Sequence, residues 1–328
     1  MNITNTKYWE ILREIKRASF AGIYERKIAI PNGLKNAYKI TEALNIIKQR
    51  WPESYLTKDD PDRPVFIFSA GWRSGSALMQ RLVISSGELA VWGEPLGEAA
   101  IIPKLAHALS FINLKWPSDS YFNNNRQLNS MTNQWIANLT PPISYLKASH
   151  RALIQAWLKT PAKEQYGVAR WGFKEVRCTI DHARYLKWLF PNARFIFVYR
   201  SLFDAYKSWK GNKWYSAWPG YYSYSPIVFA RHWRLLLEGF LNSYKEVDGI
   251  IVKFEDLVSG KMNLDQIADH IGVKKLDALI LEQKIGSPRH IKKIRPNRLT
   301  RLDRFILSSI GGTILTKAGY CKTLKSSK

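Results

Sequence analysis

Six residues, Gly71-Trp72-Arg73-Ser74-Gly75-Ser76, lie between an apolar run, Val65-Phe66-Ile67-Phe68, and a segment with helical spacing, Ala77 to Ser85. A loop that feeds a helix presents free backbone N–H groups and the positive end of the helix dipole. Glycine there permits positive φ and the close approach of an anion. Arg73 adds a planar fork of donors that matches phosphate oxygens, and the hydroxyls of Ser74 and Ser76 can complete the cradle. The loop is not of the nucleoside triphosphatase type, whose pattern is Gly-x-x-x-x-Gly-Lys-Ser/Thr. Here three residues separate Gly71 from Gly75, and no lysine follows. Taken alone, an ordinary strand-to-helix turn is the plain alternative.

A second group of residues has the same chemical character. Arg200 closes the apolar run Arg194-Phe195-Ile196-Phe197-Val198-Tyr199. The carboxyl ends of parallel strands are where open α/β sheets bind ligands. Ser208 stands eight positions later, about two helical turns along the next element, where its side chain can face the same pocket. Alone, Ser208 reads as a helix-surface serine. Lys174 ends the short run Trp171-Gly172-Phe173-Lys174, and Glu94 follows Leu89-Ala90-Val91-Trp92 in the turn Trp92-Gly93-Glu94-Pro95.

Together these segments resemble the sulfotransferases that use 3′-phosphoadenosine 5′-phosphosulfate (PAPS). Phe68-Ser69-Ala70-Gly71-Trp72-Arg73-Ser74-Gly75-Ser76 is similar to the family's 5′-phosphosulfate loop, Pro-Lys/Arg-Ser-Gly-Thr/Ser-Thr, and Arg200 with Ser208 to its 3′-phosphate site. Gly172-Phe173-Lys174-Glu175 and Val252-Lys253-Phe254-Glu255-Asp256-Leu257 resemble two further family segments, the second structural. Two departures stand out: Ala77 replaces a usual hydroxyl residue, and Trp72 replaces a proline. The arginine in the loop and Glu94 resemble the tyrosylprotein and carbohydrate branches more than the small-phenol branch.

The resemblance implies the chemistry. A sulfuryl group moves in line, so positioning and charge stabilisation do most of the work. Arg73, Ser74, Gly75, Ser76 and Ala77 would hold the 5′ end of PAPS, and Arg200 and Ser208 the 3′-phosphate. Arg289 and Lys293 belong to a loop that could close over the nucleotide. Arg73 and Lys174 would stabilise the transferring group, and Glu94 would take the acceptor's proton. Glu98, His107 and His150 are the alternative bases. The product nucleotide would be 3′,5′-adenosine bisphosphate, and no metal is implied. Trp214, Tyr215, Trp218 and Tyr221, in an aromatic stretch broken by Pro219-Gly220, suit an acceptor with flat or sugar-like faces. The expected acceptor group is a hydroxyl or a nitrogen on a carbohydrate or small natural product. A loop buried against the domain is the plain alternative for that stretch.

The surrounding elements must hold these groups at one edge. Strands are expected at 65–68, 89–92, 171–174, 194–199 and 250–254. Helices are expected at 77–85, 180–190, 205–209 and 226–245, with helical insertions and loops over 100–165. Alternating strands and helices predict an α/β fold: a P-loop-like, doubly wound parallel sheet flanked by helices. Residues 1–60 read as a helical N-terminal extension, 61–285 as the PAPS-binding domain, and 286–328 as a basic segment completing the cofactor site.

The chain has 328 residues, 50 Lys and Arg against 26 Asp and Glu, and a formal charge of +24, which calls for an anionic partner. A nucleic-acid-binding protein would account for the charge, and a nucleotide-binding protein without catalysis for the loop. Neither accounts for Arg73, Glu94, Arg200 and Ser208 together. The two cysteines, Cys178 and Cys321, build no disulfide framework. No apolar stretch approaches the ~20 residues of a membrane span, and the first residues lack the pattern of a secretory signal. A cytoplasmic enzyme of unknown oligomeric state is the resulting expectation.

Overall fold

The computed structural model describes residues 36–55, 60–122, 127–133, 135–212, 222–283 and 298–320, with 16 and 34. Five parallel strands form one sheet: β1 (Val65–Ser69), β2 (Leu89–Trp92), β3 (Arg170–Glu175), β4 (Arg194–Tyr199) and β5 (Gly249–Lys253), in the order β2-β3-β1-β4-β5. In chain order the principal helices are α1 (Tyr38–Arg50), α2 (Ser76–Ile84), α3 (Ile143–Ile154), α4 (Thr160–Tyr166), α5 (Ile180–Leu189), α6 (Leu202–Gly211), α7 (Pro226–Ser243), α8 (Leu264–Ile271) and α9 (Arg301–Lys317). All five expected strands form, within a residue or two of their expected ends. Phe254 is the exception at a boundary: it opens a short helix, Phe254–Val258, instead of ending β5.

Side chains alternate across each strand, and this alternation builds two different cores. Phe66, Phe68, Phe173, Phe195 and Phe197 face one side, packed with Trp171, Phe190 and residues of α1, α5, α6, α7 and α9. Val65, Ile67, Val91, Ile196, Val198 and Val252 face the other, against Met79, Leu82 and Val83 of α2 and Ile267 and Ile271 of α8. Burial on both faces is why these strands read as continuous apolar runs. Residues 301–317 of the basic C-terminal stretch form a helix whose Leu307, Ile314 and Leu315 are buried in the aromatic core.

Strand order fixes where a ligand can enter. From β1 the chain crosses through α2 on the aliphatic face, whereas from β4 it enters α6 on the aromatic face. β1 and β4 are neighbours, so their two exit loops part in opposite directions. A crevice at such a switch point is the usual ligand site of an open α/β sheet. Arg73 and Arg200 belong to those two loops.

Candidate active site

The loop after β1 has a shape that few residues tolerate. Gly71 has φ 79°, Arg73 φ 62° and Gly75 φ 91°. At Gly75 a Cβ would lie 2.2 Å from Cδ2 of Phe254, so both conformation and space demand glycine. Hydroxyls brace the turn from within: Ser69 Oγ donates to the Gly71 carbonyl at 2.9 Å, and Ser74 Oγ to the Ala70 carbonyl at 2.9 Å. The Ser74 proton is therefore spent inside the loop. Trp72, in place of a proline, stacks on His232 with ring centroids 4.3 Å apart and meets Trp209 at 5.0 Å. Those contacts clamp the loop onto α6 and α7. Ser76 and Ala77 occupy the first turn of α2, where helix amides have no intrahelical acceptor. Ala77 lacks a hydroxyl but keeps its N–H.

Two arginines converge on this turn. Arg73 Nε donates to Ser208 Oγ at 2.9 Å, and Arg200 Nη1 reaches the Arg73 carbonyl at 3.4 Å. Arg200 also lies over the Phe254 ring, 4.6 Å from its centroid, and its carbonyl accepts from Trp233 Nε1 at 3.0 Å. Burial and then the nearby Arg200 charge hold the Arg73 pKa below its ordinary value. Two guanidinium groups this close repel, and an anion between them relieves the repulsion. Arg200 Nε is out of contact with solvent and has no hydrogen-bond partner among the described residues. A buried donor left in this state is costly unless something else accepts from it.

Beside the first cluster stands a second, built from β2 and β3. Glu94 Oε1 accepts from Lys174 Nζ at 2.5 Å, and Glu94 Oε2 from Arg177 Nη1 at 2.5 Å. Arg177 Nη1 also donates to Glu175 Oε1 at 2.9 Å. Burial opposes charge on Glu94, but the Lys174 and Arg177 charges outweigh it and hold the carboxyl below the ordinary range. Glu175 is the reverse case: burial pushes it up to about 7, with Arg177 opposing and Glu94 reinforcing.

Arg73, Arg200, Ser208, Glu94 and Lys174 thus all stand at the carboxyl edge of one parallel sheet. Arg177 and Glu175 were not singled out from the sequence. Their signal was position: Glu175 ends β3 directly after Lys174, and Arg177 lies two residues beyond it at the same edge. His150 instead bonds the Tyr185 hydroxyl at 2.8 Å inside the fold, and His107 lies edge-to-face against His182. Glu98 sits in a 3-10 turn, Gly97–Ala99. Trp214, Tyr215, Trp218, Tyr221, Arg289 and Lys293 lie outside the described residues. No group of three or more metal-ligating side chains occurs among the described residues, and no described helix is long and apolar enough to cross a membrane.

The nucleotide implied by the sequence fits this edge. The Arg200 Nε without a partner among the described residues, the repelling guanidinium pair and the first-turn amides of α2 all favour a bound anion. No curated protein matches the sequence. Among solved structures, the sulfotransferase STF1 of Mycobacterium tuberculosis H37Rv is similar at 14% identity over 94% of this chain and 93% of that one, with a TM-score of 0.35. A sequence model described as the sulfotransferase family matches residues 64–277, a stretch that holds both clusters, and the chain belongs to that family and is a transferase.

Proposed function

We propose that this enzyme moves a sulfuryl group from PAPS to a hydroxyl of a small natural product or carbohydrate, with Glu94 as the base. The observation that carries the reading is the meeting of Arg73, Ser208 and Arg200 at the β1–β4 switch point. PAPS would supply the activated sulfuryl group and a phosphate leaving oxygen. Arg200 and Ser208 hold the 3′-phosphate. Arg73 and the amides of the Gly75–Ala77 turn hold the 5′-phosphate and stabilise the charge it gains as it departs. Lys174 is within reach of Glu94 and serves the transferring group.

Glu94 is held ionised by its two cationic partners, and a base must begin without its proton. The same pairing makes it a weak base. If Lys174 turns to the sulfuryl oxygens, one cation leaves Glu94 and its affinity for the acceptor's proton rises. We place the enzyme in the cytoplasm, where the buried free thiol of Cys178 stays reduced. The reading is tested by thermal denaturation. 3′,5′-Adenosine bisphosphate should raise the melting temperature without magnesium, and ATP much less. Equal shifts from both nucleotides would remove the case for a 3′-phosphate site.

A further inference from the structure

Glu94 also forms part of a second feature, a cleft of about 410 Å³ walled by Trp92, Pro95, Leu96, Trp157, Leu158 and Pro161. That volume lies at the low end of small-molecule sites, which run from about 300 to 1,000 Å³. The walls are aromatic and aliphatic. Among the described residues, Gln165 is the only polar side chain of the lining apart from Glu94. A sugar placed here would lose water from several hydroxyls and find few partners for them, which is costly. A hydrocarbon body carrying one hydroxyl loses nothing of the kind.

Two irregularities of the backbone build this wall. Between α3 and α4 the helix passes through a π-turn, Gln155–Lys159. Such turns are rare and concentrate at functional sites. This one supplies both Trp157 and Leu158, and the Leu158 carbonyl accepts from Trp92 Nε1 at 2.7 Å, fixing the opposite wall. On the other rim, Leu96 has φ 54°, a conformation costly for a leucine, and its side chain is 63% exposed. A strained leucine that presents hydrocarbon beside a candidate base and an apolar cleft suits an apolar ligand that covers it.

Resting on the reading of Glu94 as the base of sulfuryl transfer, we infer that this cleft is the acceptor site and that the acceptor is a small neutral alcohol or phenol with an apolar body. The hydroxyl lies at Glu94 and the hydrocarbon against Trp157 and Leu96. The acceptor oxygen bonds to sulfur, the bond from sulfur to the 5′-phosphate oxygen of PAPS breaks, and the hydroxyl proton goes to Glu94. The charge and the bisphosphate leave together.

The experiment uses 2-naphthol and methyl glucoside as paired probes, on enzyme saturated with 3′,5′-adenosine bisphosphate for binding and with labelled PAPS for transfer. 2-Naphthol should bind and be sulfated, and methyl glucoside should do neither. Trp157→Ala should weaken 2-naphthol binding about tenfold or more with bisphosphate binding unchanged. Leu96→Asn, which suits the left-handed backbone, should weaken it in the same direction and guards against misfolding of the first variant. Sulfation of the glucoside in place of the naphthol, or naphthol binding indifferent to both variants, would overturn the assignment. So would naphthol that binds without accepting sulfate from an enzyme that binds the bisphosphate. Loss of bisphosphate binding in the unmodified enzyme would instead defeat the sulfuryl-transfer reading, and the acceptor assignment with it.

Discussion

Arg73 and Ser208 are separated by 135 residues and joined by one hydrogen bond, Nε to Oγ at 2.9 Å. One belongs to the loop that leaves β1 and the other to α6, which follows β4. The bond crosses the switch point and ties together the two halves of the candidate anion site. A change on either side should be felt by a ligand that spans both.

Removing Arg200 should therefore cost more than removing Ser208. A hydrogen bond to an ionised group contributes about 1.5–3 kcal/mol, and Arg200 can make more than one to a phosphate where Ser208 makes one. Arg200→Ala should weaken 3′,5′-adenosine bisphosphate by about a hundredfold, and Ser208→Ala by about tenfold. Calorimetric titration measures both. Adenosine 5′-phosphate, which lacks the 3′ group, should lose much less affinity in either variant. Equal losses for the two nucleotides would assign Arg200 and Ser208 to some other part of the ligand.

Gly75→Ala should abolish nucleotide binding and lower stability by more than about 1 kcal/mol. The new methyl meets the Phe254 ring, and φ 91° strains any residue with a Cβ. Phe254→Ala combined with Gly75→Ala removes the clash and leaves the strain. The pair should recover part of the stability, as chemical denaturation would show. Full recovery would mean that the backbone conformation is not what demands glycine.

These two sites also show what a sequence can reveal. Gly75 and Arg200 were legible because each lies next to a strand that is buried on both faces, and such strands write themselves as apolar runs. The Glu94 cluster was half legible. Glu94 and Lys174 stood at strand ends, but Arg177 and Glu175 acquire meaning only when β2 and β3 pair and bring their ends together. Trp72 looked like a departure from a loop pattern. Its reason lies in α6 and α7, where Trp209 and His232 supply the surfaces it packs on. The helix of 301–317 was hidden because Ser308-Ser309 and Gly311-Gly312 interrupt its apolar residues, and only contact with the aromatic core marks Leu307, Ile314 and Leu315 as buried. The π-turn has no sequence signature at all.

Glu94→Gln should keep nucleotide affinity within a few-fold and lower kcat by about a hundredfold or more, the usual worth of a positioned base. Arg177→Ala should behave differently. It removes one of the two cations that depress the Glu94 pKa and leaves Glu175 buried beside it. The acidic limb of the rate profile, which reports protonation of Glu94, should then move to higher pH. A profile that stays in place while the rate collapses would mean that Arg177 acts on the substrate and not through Glu94.

The buried histidine behind the loop makes the fold sensitive to acid in a defined window. Burial lowers the His232 pKa to about 3, against partial compensation from its bond to the Val176 carbonyl, and burial lowers His182 to about 3 as well. Unfolding restores both to the ordinary value of 6.5. The unfolded chain therefore binds more protons between those limits. The stability these groups contribute is complete above pH 6.5 and is lost as pH falls toward 3, by about 1.4 kcal/mol per pH unit for each. Glu175 acts in the opposite sense, because its folded pKa of about 7 exceeds its ordinary 4.5. Its contribution is complete below pH 4.5 and is lost as pH rises through 7. Between 4.5 and 6.5 it offsets one histidine. His232→Gln should lower stability at neutral pH through the lost stacking on Trp72, and should also flatten the fall in the urea midpoint below pH 6.5 by one histidine's share. An unchanged slope would mean that His232 takes up its proton in the folded protein, and that the loop behind Arg73 is looser than its packing requires.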